Sequence, residues 1–570
     1  MIRSKRETVM TTALSSIDGS SHVAAQRARV LHMVSGDAAP PAGQNAPWSR
    51  SAAFADQGPP ALRAAFAVGS PLVQAPVDKP ARYRKEPPAP MMHKTLRSIR
   101  AAVFTAVCAL TMNANAAFEH PAPWFEAFKD HADKRTLLEF LHAMPKGGDL
   151  HNHITGAVFA EWWLELGVAA EADGYRYLTK TRIENCAYGT NEFGPSPYLL
   201  LWRTISERTW QTLSACEQQE YTPLSKLNAQ ERAAFASALH LDRPHEGRAE
   251  FFSRHWQRIN ELTNNPHIVA EIIARNLIAF GEEGLLYLEA QVPVFGMRTA
   301  DGEPLSPDAV LDIYRARIAE ADVEASGMTL RMQISLLRFT PQAEENLKRI
   351  WGIAARHEDV VAVNFVGRED DDKGHPARFL GTVRALRREY SGVHLSIHAG
   401  EVDEPNDHIR DTLLLGAERI GHGVNLITQP DVMLYMRDRH LVEINLISNL
   451  LLEYVDDYDE HPFPEYLRFG IPVALSTDDR GMWDSTMTDE FLVAVREFDL
   501  SWQELVYLSR NSIRHSFLED EARAALLEEL NDRLSAFETA FRNGGLAAVR
   551  RDARPLYRGF ICRRYDLCEP

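Results

Sequence analysis

Two histidines one residue apart, His151-Asn152-His153, head a set of groups that could hold a metal ion. On an extended strand, side chains two apart point the same way, so both imidazoles would face one site. A third histidine opens His398-Ala399-Gly400-Glu401, and a fourth lies between glycines in Gly421-His422-Gly423. Two carboxylates stand side by side at Asp478-Asp479. Three imidazoles and a carboxylate suit a divalent cation, zinc by preference, with a position left for water. Each group alone has a bland reading, that of a capped or solvated strand end. With 21 histidines in the chain, roughly one such pair is expected by chance. Adjacent carboxylates closing an apolar strand are costly unless a cation or donors receive them.

Short β-prone runs must position these groups. They cover residues 147–154, 284–292, 329–339, 360–367, 393–401, 418–423, 441–449 and 471–479. Most intervals after the second run hold an amphipathic helical stretch, such as PQAEENLKRIWGIAARH. Nearly continuous apolar runs suit parallel strands covered on both faces. Eight strand–helix alternations argue for an α/β fold, a (β/α)8 TIM barrel, whose catalytic groups collect at the C-terminal strand ends. A doubly wound open sheet would want a glycine-rich phosphate turn after an early strand, and none is present. The barrel is expected over residues 147–515, with an insertion at about 165–250. Residues 117–146 form a helical segment before it, and 516–570 form C-terminal helices and a tail.

Composition narrows the function classes. The chain has 570 residues, with 62 Lys and Arg against 79 Asp and Glu, a net charge of −17. A phosphate-tracking nucleic-acid binder is not expected from that balance. Hydrophobic content of 45% marks a globular chain. No apolar run reaches the roughly 18 residues of a membrane span.

The first 116 residues differ from the rest. Residues 1–90 hold 11 of the 31 prolines and show no apolar period. They read as a disordered extension, or as sequence upstream of a start at Met91 or Met92. Residues 91–116 have the layout of a secretory signal: Lys94, Arg97 and Arg100, an apolar run from Ala101 to Met112, then Ala114-Asn115-Ala116. A short buried helix is the bland alternative. Cleavage would leave Ala117 first, in the periplasm or outside the cell. It would also leave four cysteines, and of the three pairings open to them Cys186–Cys216 and Cys562–Cys568 are the economical choice.

Lys146-Gly147-Gly148-Asp149-Leu150-His151-Asn152-His153, His398-Ala399-Gly400-Glu401, Arg419-Ile420-Gly421-His422-Gly423 and Ser476-Thr477-Asp478-Asp479 together resemble the adenosine deaminase family. Tyr287-Leu288-Glu289, Ser448-Asn449 and His461-Pro462 extend the likeness, which spans about residues 147–515. Met144-Pro145-Lys146-Gly147, the export signal and the cysteine-bearing insertion resemble the secreted branch, the adenosine deaminase growth factors. The resemblance implies one zinc ion held by His151, His153, His398 and Asp478, and hydrolytic deamination of adenosine or 2′-deoxyadenosine at purine C6. It implies that Glu401 protonates N1 and that His422 orients the water and accepts or relays its proton. Asp479 would hydrogen-bond N7, and the Gly367 backbone N–H would reach N3, where a side chain would block the approach.

Three positions depart from the family pattern. Ile154 and Thr155 stand where an acidic residue is associated with the ribose 5′-hydroxyl, and Arg480 replaces a common proline. Ribose recognition is therefore open. The rival readings are deamination of AMP or an N6-modified adenosine, for which Arg480 is the nearby phosphate candidate, and a secreted binding or signalling protein that has lost catalysis. The expected partner is a small purine nucleoside, with no nucleic acid and no stable membrane span. Monomer and homodimer both stay open.

Overall fold

The computed structural model describes residues 122–188, 199–369, 373–402 and 404–569. The extension at 1–90 and the signal at 91–116 lie outside the described residues. Strand β1 (Gly148–His153) leads into an excursion holding β2 (Tyr177–Lys180), β3 (Thr204–Ser206) and β4 (Tyr221–Pro223). Seven further strands follow: β5 (Tyr287–Gln291), β6 (Thr329–Leu337), β7 (Val360–Val366), β8 (His394–Ala399), β9 (Arg419–His422), β10 (Leu441–Ile444) and β11 (Val473–Leu475). The sheet order is β1-β5-β6-β7-β8-β9-β10-β11, and every pair in it is parallel. A single bridge, Asn152 to Asp478, joins the two ends. This is the (β/α)8 barrel expected from the sequence.

The local reasons are visible in the strands and helices themselves. All of β7 is buried, as a strand packed on both faces must be. The helix Ala343–Ala354 buries Ala343, Leu347, Ile350, Trp351 and Ala354, a stripe at helical spacing, and turns its charges outward. Ser306 and Asn265 cap the helices Pro307–Ile318 and Pro266–Glu282, each with proline in the first turn.

Several strands end earlier than their apolar runs. The run 441–449 stops as a strand at Ile444 and turns into the helix Leu446–Leu451. The Glu490 carboxylate receives the first N–H groups of that helix, from Leu446 at 3.0 Å and Ile447 at 3.2 Å. Apolar character marks burial, not strand, so the hand-over was not legible in it.

The N-terminal end of the barrel is closed by Lys146. Its buried ammonium donates to the carbonyls of Leu141, Met144 and Glu283. Beside it the helices Pro123–His131 and Lys134–Ala143 pack Trp124, Phe125 and Phe140 against Trp502, Phe537 and Phe541. The excursion after β1 forms a small antiparallel sheet, β3-β2-β4, with Lys180 paired to the buried Glu220. Cys186 and Cys216 are bridged there, and Cys562 and Cys568 are bridged in the tail. Among the described residues no helix is long and apolar enough to cross a membrane.

Candidate metal centre and active site

The C-terminal strand ends bring the expected groups together. His151, His153, His398 and Asp478 place one ligand atom each within 4.8 Å of one another. Nε2 of His153 and Nε2 of His398 are 3.1 Å apart, and Asp478 Oδ1 lies 3.3 Å from His151 Nε2 and 3.2 Å from His153 Nε2. Room for the His151 ring comes from Gly421, where a Cβ would stand 2.7 Å from its Cε1. His151 Nε2 is fully buried and makes no hydrogen bond, an orphaned lone pair that a cation would satisfy.

The surrounding bonds set which ring nitrogens face the centre. Glu443 lies 2.8 Å from His151 Nδ1, and Asn364 Oδ1 lies 2.8 Å from His398 Nδ1. Each ring therefore donates outward from Nδ1 and turns the lone pair of Nε2 inward. Glu443 also receives Ser396 Oγ and Arg419 Nε, and Arg419 reaches on to Glu289. Ser448 Oγ donates to Asp478 Oδ2 at 2.7 Å.

The charge balance also fits a cation. Burial holds His153 below its usual pKa, and burial with the neighbouring imidazoles holds His398 well below it. Both rings are thus neutral ligands. Burial opposes charge on His151 as well, but the facing carboxylates of Asp478 and Glu443 outweigh it and lift its pKa to about 10. The same carboxylates would favour a cation at Nε2 in place of a proton. The residues present fit a divalent ion.

Glu401 and His422 stand next to this centre, with Oε1 3.8 Å from Nε2. Burial raises the Glu401 pKa well above the carboxylate range, and the charges of Asp478 and Glu369 add to it. Glu369 accepts the backbone N–H groups of Gly400 (3.0 Å) and Glu401 (3.1 Å), and is braced by His408 Nδ1 at 2.8 Å. It fixes the turn from which Glu401 projects. Burial and the adjacent Asp478 likewise raise Asp479, whose Oδ1 has no hydrogen bond.

A relay sets the tautomer of His422. Phe463 N–H donates to His461 Nδ1 at 3.1 Å, so His461 carries its proton on Nε2, which meets Asn449 Oδ1 at 3.1 Å. That orients the Asn449 amide to donate from Nδ2 to His422 Nδ1 at 2.9 Å. Burial brings the His422 pKa down to about 3, so the ring is neutral and its one proton sits on Nε2.

Gly367 and Arg480 lie after β7 and after β11. Gly367 has a φ of 99°, and a Cβ there would meet the Phe339 ring at 2.6 Å. Backbone conformation and the Phe339 ring each call for glycine at this position. Arg480 is fully buried and turned away from the centre. Its Nη1 lies 2.9 Å from Glu283 and its guanidinium sits 3.8 Å over the Phe280 ring. It is not poised to hold a phosphate.

Glu443, Asn364, Glu369 and Asn449 hold parts of the site that the motifs did not mark. For the first two a signal existed: a lone polar residue inside an apolar strand, LVEI or VVAVNFV.

The adenosine deaminase family model matches residues 225–533. The chain is 32% identical over 239 residues to an adenine deaminase of Chelativorans sp. (strain BNC1), covering 40% of this chain and 70% of that one. It is 28% identical over 261 residues to an adenosine deaminase of Shewanella denitrificans, covering 45% and 76%. The crystal structure of adenine deaminase from Arthrobacter aurescens shares the fold, with a TM-score of 0.50 at 20% identity over 69% of this chain and 99% of that one.

Proposed function

The chain belongs to the adenosine deaminase family, and on that premise we propose that it hydrolyses the 6-amino group of adenosine and 2′-deoxyadenosine, releasing ammonia and leaving the 6-oxo nucleoside. Its relatives act, by name, on adenosine and adenine, which supports an amino-purine substrate. One observation carries the reading. Three imidazoles and a carboxylate converge within 4.8 Å, beside a buried carboxyl that burial keeps protonated.

The proposed ion is zinc, held by His151, His153, His398 and Asp478; bound there it would bring the pKa of a water toward neutrality and ready it to attack C6. The remaining steps belong to the chain. Glu401 holds a proton against N1 and delivers it as C6 takes up oxygen, which breaks the ring's aromaticity. It regains a proton from the water that supplied the oxygen, and the proton left on that oxygen passes to the amine, which departs as ammonia. Asp479, also neutral, donates to N7, which can only accept. The Gly367 N–H donates to N3. His422, neutral with its proton on Nε2, orients the attacking oxygen by donation; of its two expected roles, this is the one its tautomer suits. Trp256, whose ring centroid is 6.4 Å from that of His153, walls the site on the β1 side.

A nucleotide substrate is disfavoured, because Arg480 is committed to Glu283. We also propose export through residues 91–116 and membership of the secreted branch, on the signal layout and the bridged cysteines. The deciding assay follows the fall in absorbance near the adenosine maximum, with metal analysis of the same sample. Zinc near one per chain and turnover of adenosine above AMP are expected. A protein that binds metal yet turns over no 6-aminopurine would overturn the reading.

A further inference from the structure

Gln291 ends β5 in the layer of His153, its register partner on β1. Two residues earlier on the same strand, Glu289 points into the barrel, where it meets Arg419 from β9 and Gln333 from β6. Gln291 therefore points inward too, one layer nearer the mouth. Ser335 of β6 lies beside it, two residues beyond the inward Gln333, and donates its hydroxyl to Gln291 Oε1 at 2.6 Å. The other end of the amide, Nε2, has no hydrogen bond among the described residues, although Gln291 is only 3% exposed. Turning the amide over would leave Oε1 unpaired instead. In either orientation one polar end of a buried side chain waits for a partner.

The strand order says what comes to it. Under the proposed function, N1 of the purine faces Glu401 after β8, N3 faces Gly367 after β7, and N7 faces Asp479 after β11. Around the purine rim, N9 lies between N3 and N7 on the side away from C6. Around the barrel, the path from β7 to β11 that avoids β8 crosses β6, β5 and β1. The sugar on N9 must point at those three strands, and Gln291 stands on the middle one. On β1 the turn offers Thr155 rather than a carboxylate.

We propose that Gln291, steadied by Ser335, reads a ribose hydroxyl of the substrate and so makes this deaminase select nucleosides over free bases. A hydroxyl both donates and accepts, so it pairs with whichever amide end is free. A phosphate or carboxylate, which needs donors only, fits this neutral ledge poorly. The inference rests on the proposed deaminase reading and adds the sugar to it.

The test compares kcat and KM of the metal-loaded enzyme for adenosine, its 2′-, 3′- and 5′-deoxy analogues, and adenine. The variants are Gln291→Met, close in volume, and Ser335→Ala, a milder change that serves if the first does not fold. Gln291→Met should raise KM for adenosine about tenfold, as for one lost buried hydrogen bond, with kcat and metal content held. That penalty should vanish for the one deoxy analogue that lacks the hydroxyl being read. Ser335→Ala should show the same pattern at smaller size. An equal penalty on adenosine and every analogue, no penalty at all, or a wild type that prefers adenine would overturn the ledge and leave the deaminase reading standing. A wild type that turns over no 6-aminopurine overturns both.

Discussion

His151 and Asp478 meet twice. The backbone N–H of Asp478 donates to the carbonyl of His151 at 2.9 Å, and Asp478 Oδ1 lies 3.3 Å from His151 Nε2. The same short stretch closes the barrel, since the bridge between its end strands is Asn152 to Asp478. His153 N–H completes it by donating to the Asp478 carbonyl at 3.1 Å. The proposed metal ligands thus sit on both sides of the seam.

An ion bound there should hold the barrel shut. Removing it with a chelator should lower the unfolding temperature and broaden hydrogen exchange in β1 and β11 before other strands. At free metal a thousandfold above Kd, the folded state gains about 4 kcal/mol. Calorimetry with and without chelator measures this. An unchanged Tm would mean that no ion bridges the seam.

Glu443 should tune the affinity for that ion. Replacing it by glutamine takes away the charge that orients His151 Nδ1, which is expected to weaken binding by about 10–100-fold while the fold survives. Competition with a metal buffer reads the change, and wild-type affinity in Glu443→Gln would refute it.

Glu401 should behave as the acid. Burial raises its pKa, so the carboxyl keeps its proton at low pH and loses it as pH rises through the raised value. The rate should fall along that alkaline limb, and a bound dication pulls the limb to lower pH than burial alone would set. Glu401→Gln should retain the metal, lose about three orders of magnitude in kcat, and lose the limb as well. Near-normal turnover would remove Glu401 from the mechanism.

The relay from His461 should matter for proton placement. Asn449→Asp puts an acceptor where Nδ2 now donates to His422 Nδ1, drawing the proton to Nδ1 and away from the site. A fall in kcat of about two orders of magnitude or more, with KM and metal content held, follows from the wrong tautomer. The pH profile of kcat should change with it. A variant with the wild-type profile would sever His422 from its relay.

Export is checked by producing the chain from Met91 in an export-competent host. Intact mass should place the new N-terminus at Ala117 and show no free thiol at Cys186 or Cys216. Breaking that bridge by Cys186→Ser should cost the insertion about 2–4 kcal/mol. A product that keeps residues 91–116 and all its thiols would refute both export and the secreted branch.

Much of this was legible residue by residue. Short apolar runs alternating with amphipathic helical stretches are local properties, so the eight strands could be read along the chain, though not where each one ends. His151, His153, His398, Glu401, His422 and Asp478 announced themselves because each is a polar group stranded at the end of an apolar run. Distance along the chain hid the rest. Glu443 lies 292 positions from His151, and nothing local marks it as the partner of Nδ1. The His422 proton is placed by Asn449, 27 positions on, and by His461 beyond it. Arg480 follows the aspartate pair directly, yet its long side chain turns away to Glu283, 197 positions before it. Residue type at the strand ends marked the histidines and carboxylates that metal chemistry would use, but not the residues that orient them. Which nitrogen carries a proton, which carboxyl stays neutral and which amide end waits for a sugar were decided by burial and by partners far along the chain, because those energies exist only once the barrel has closed.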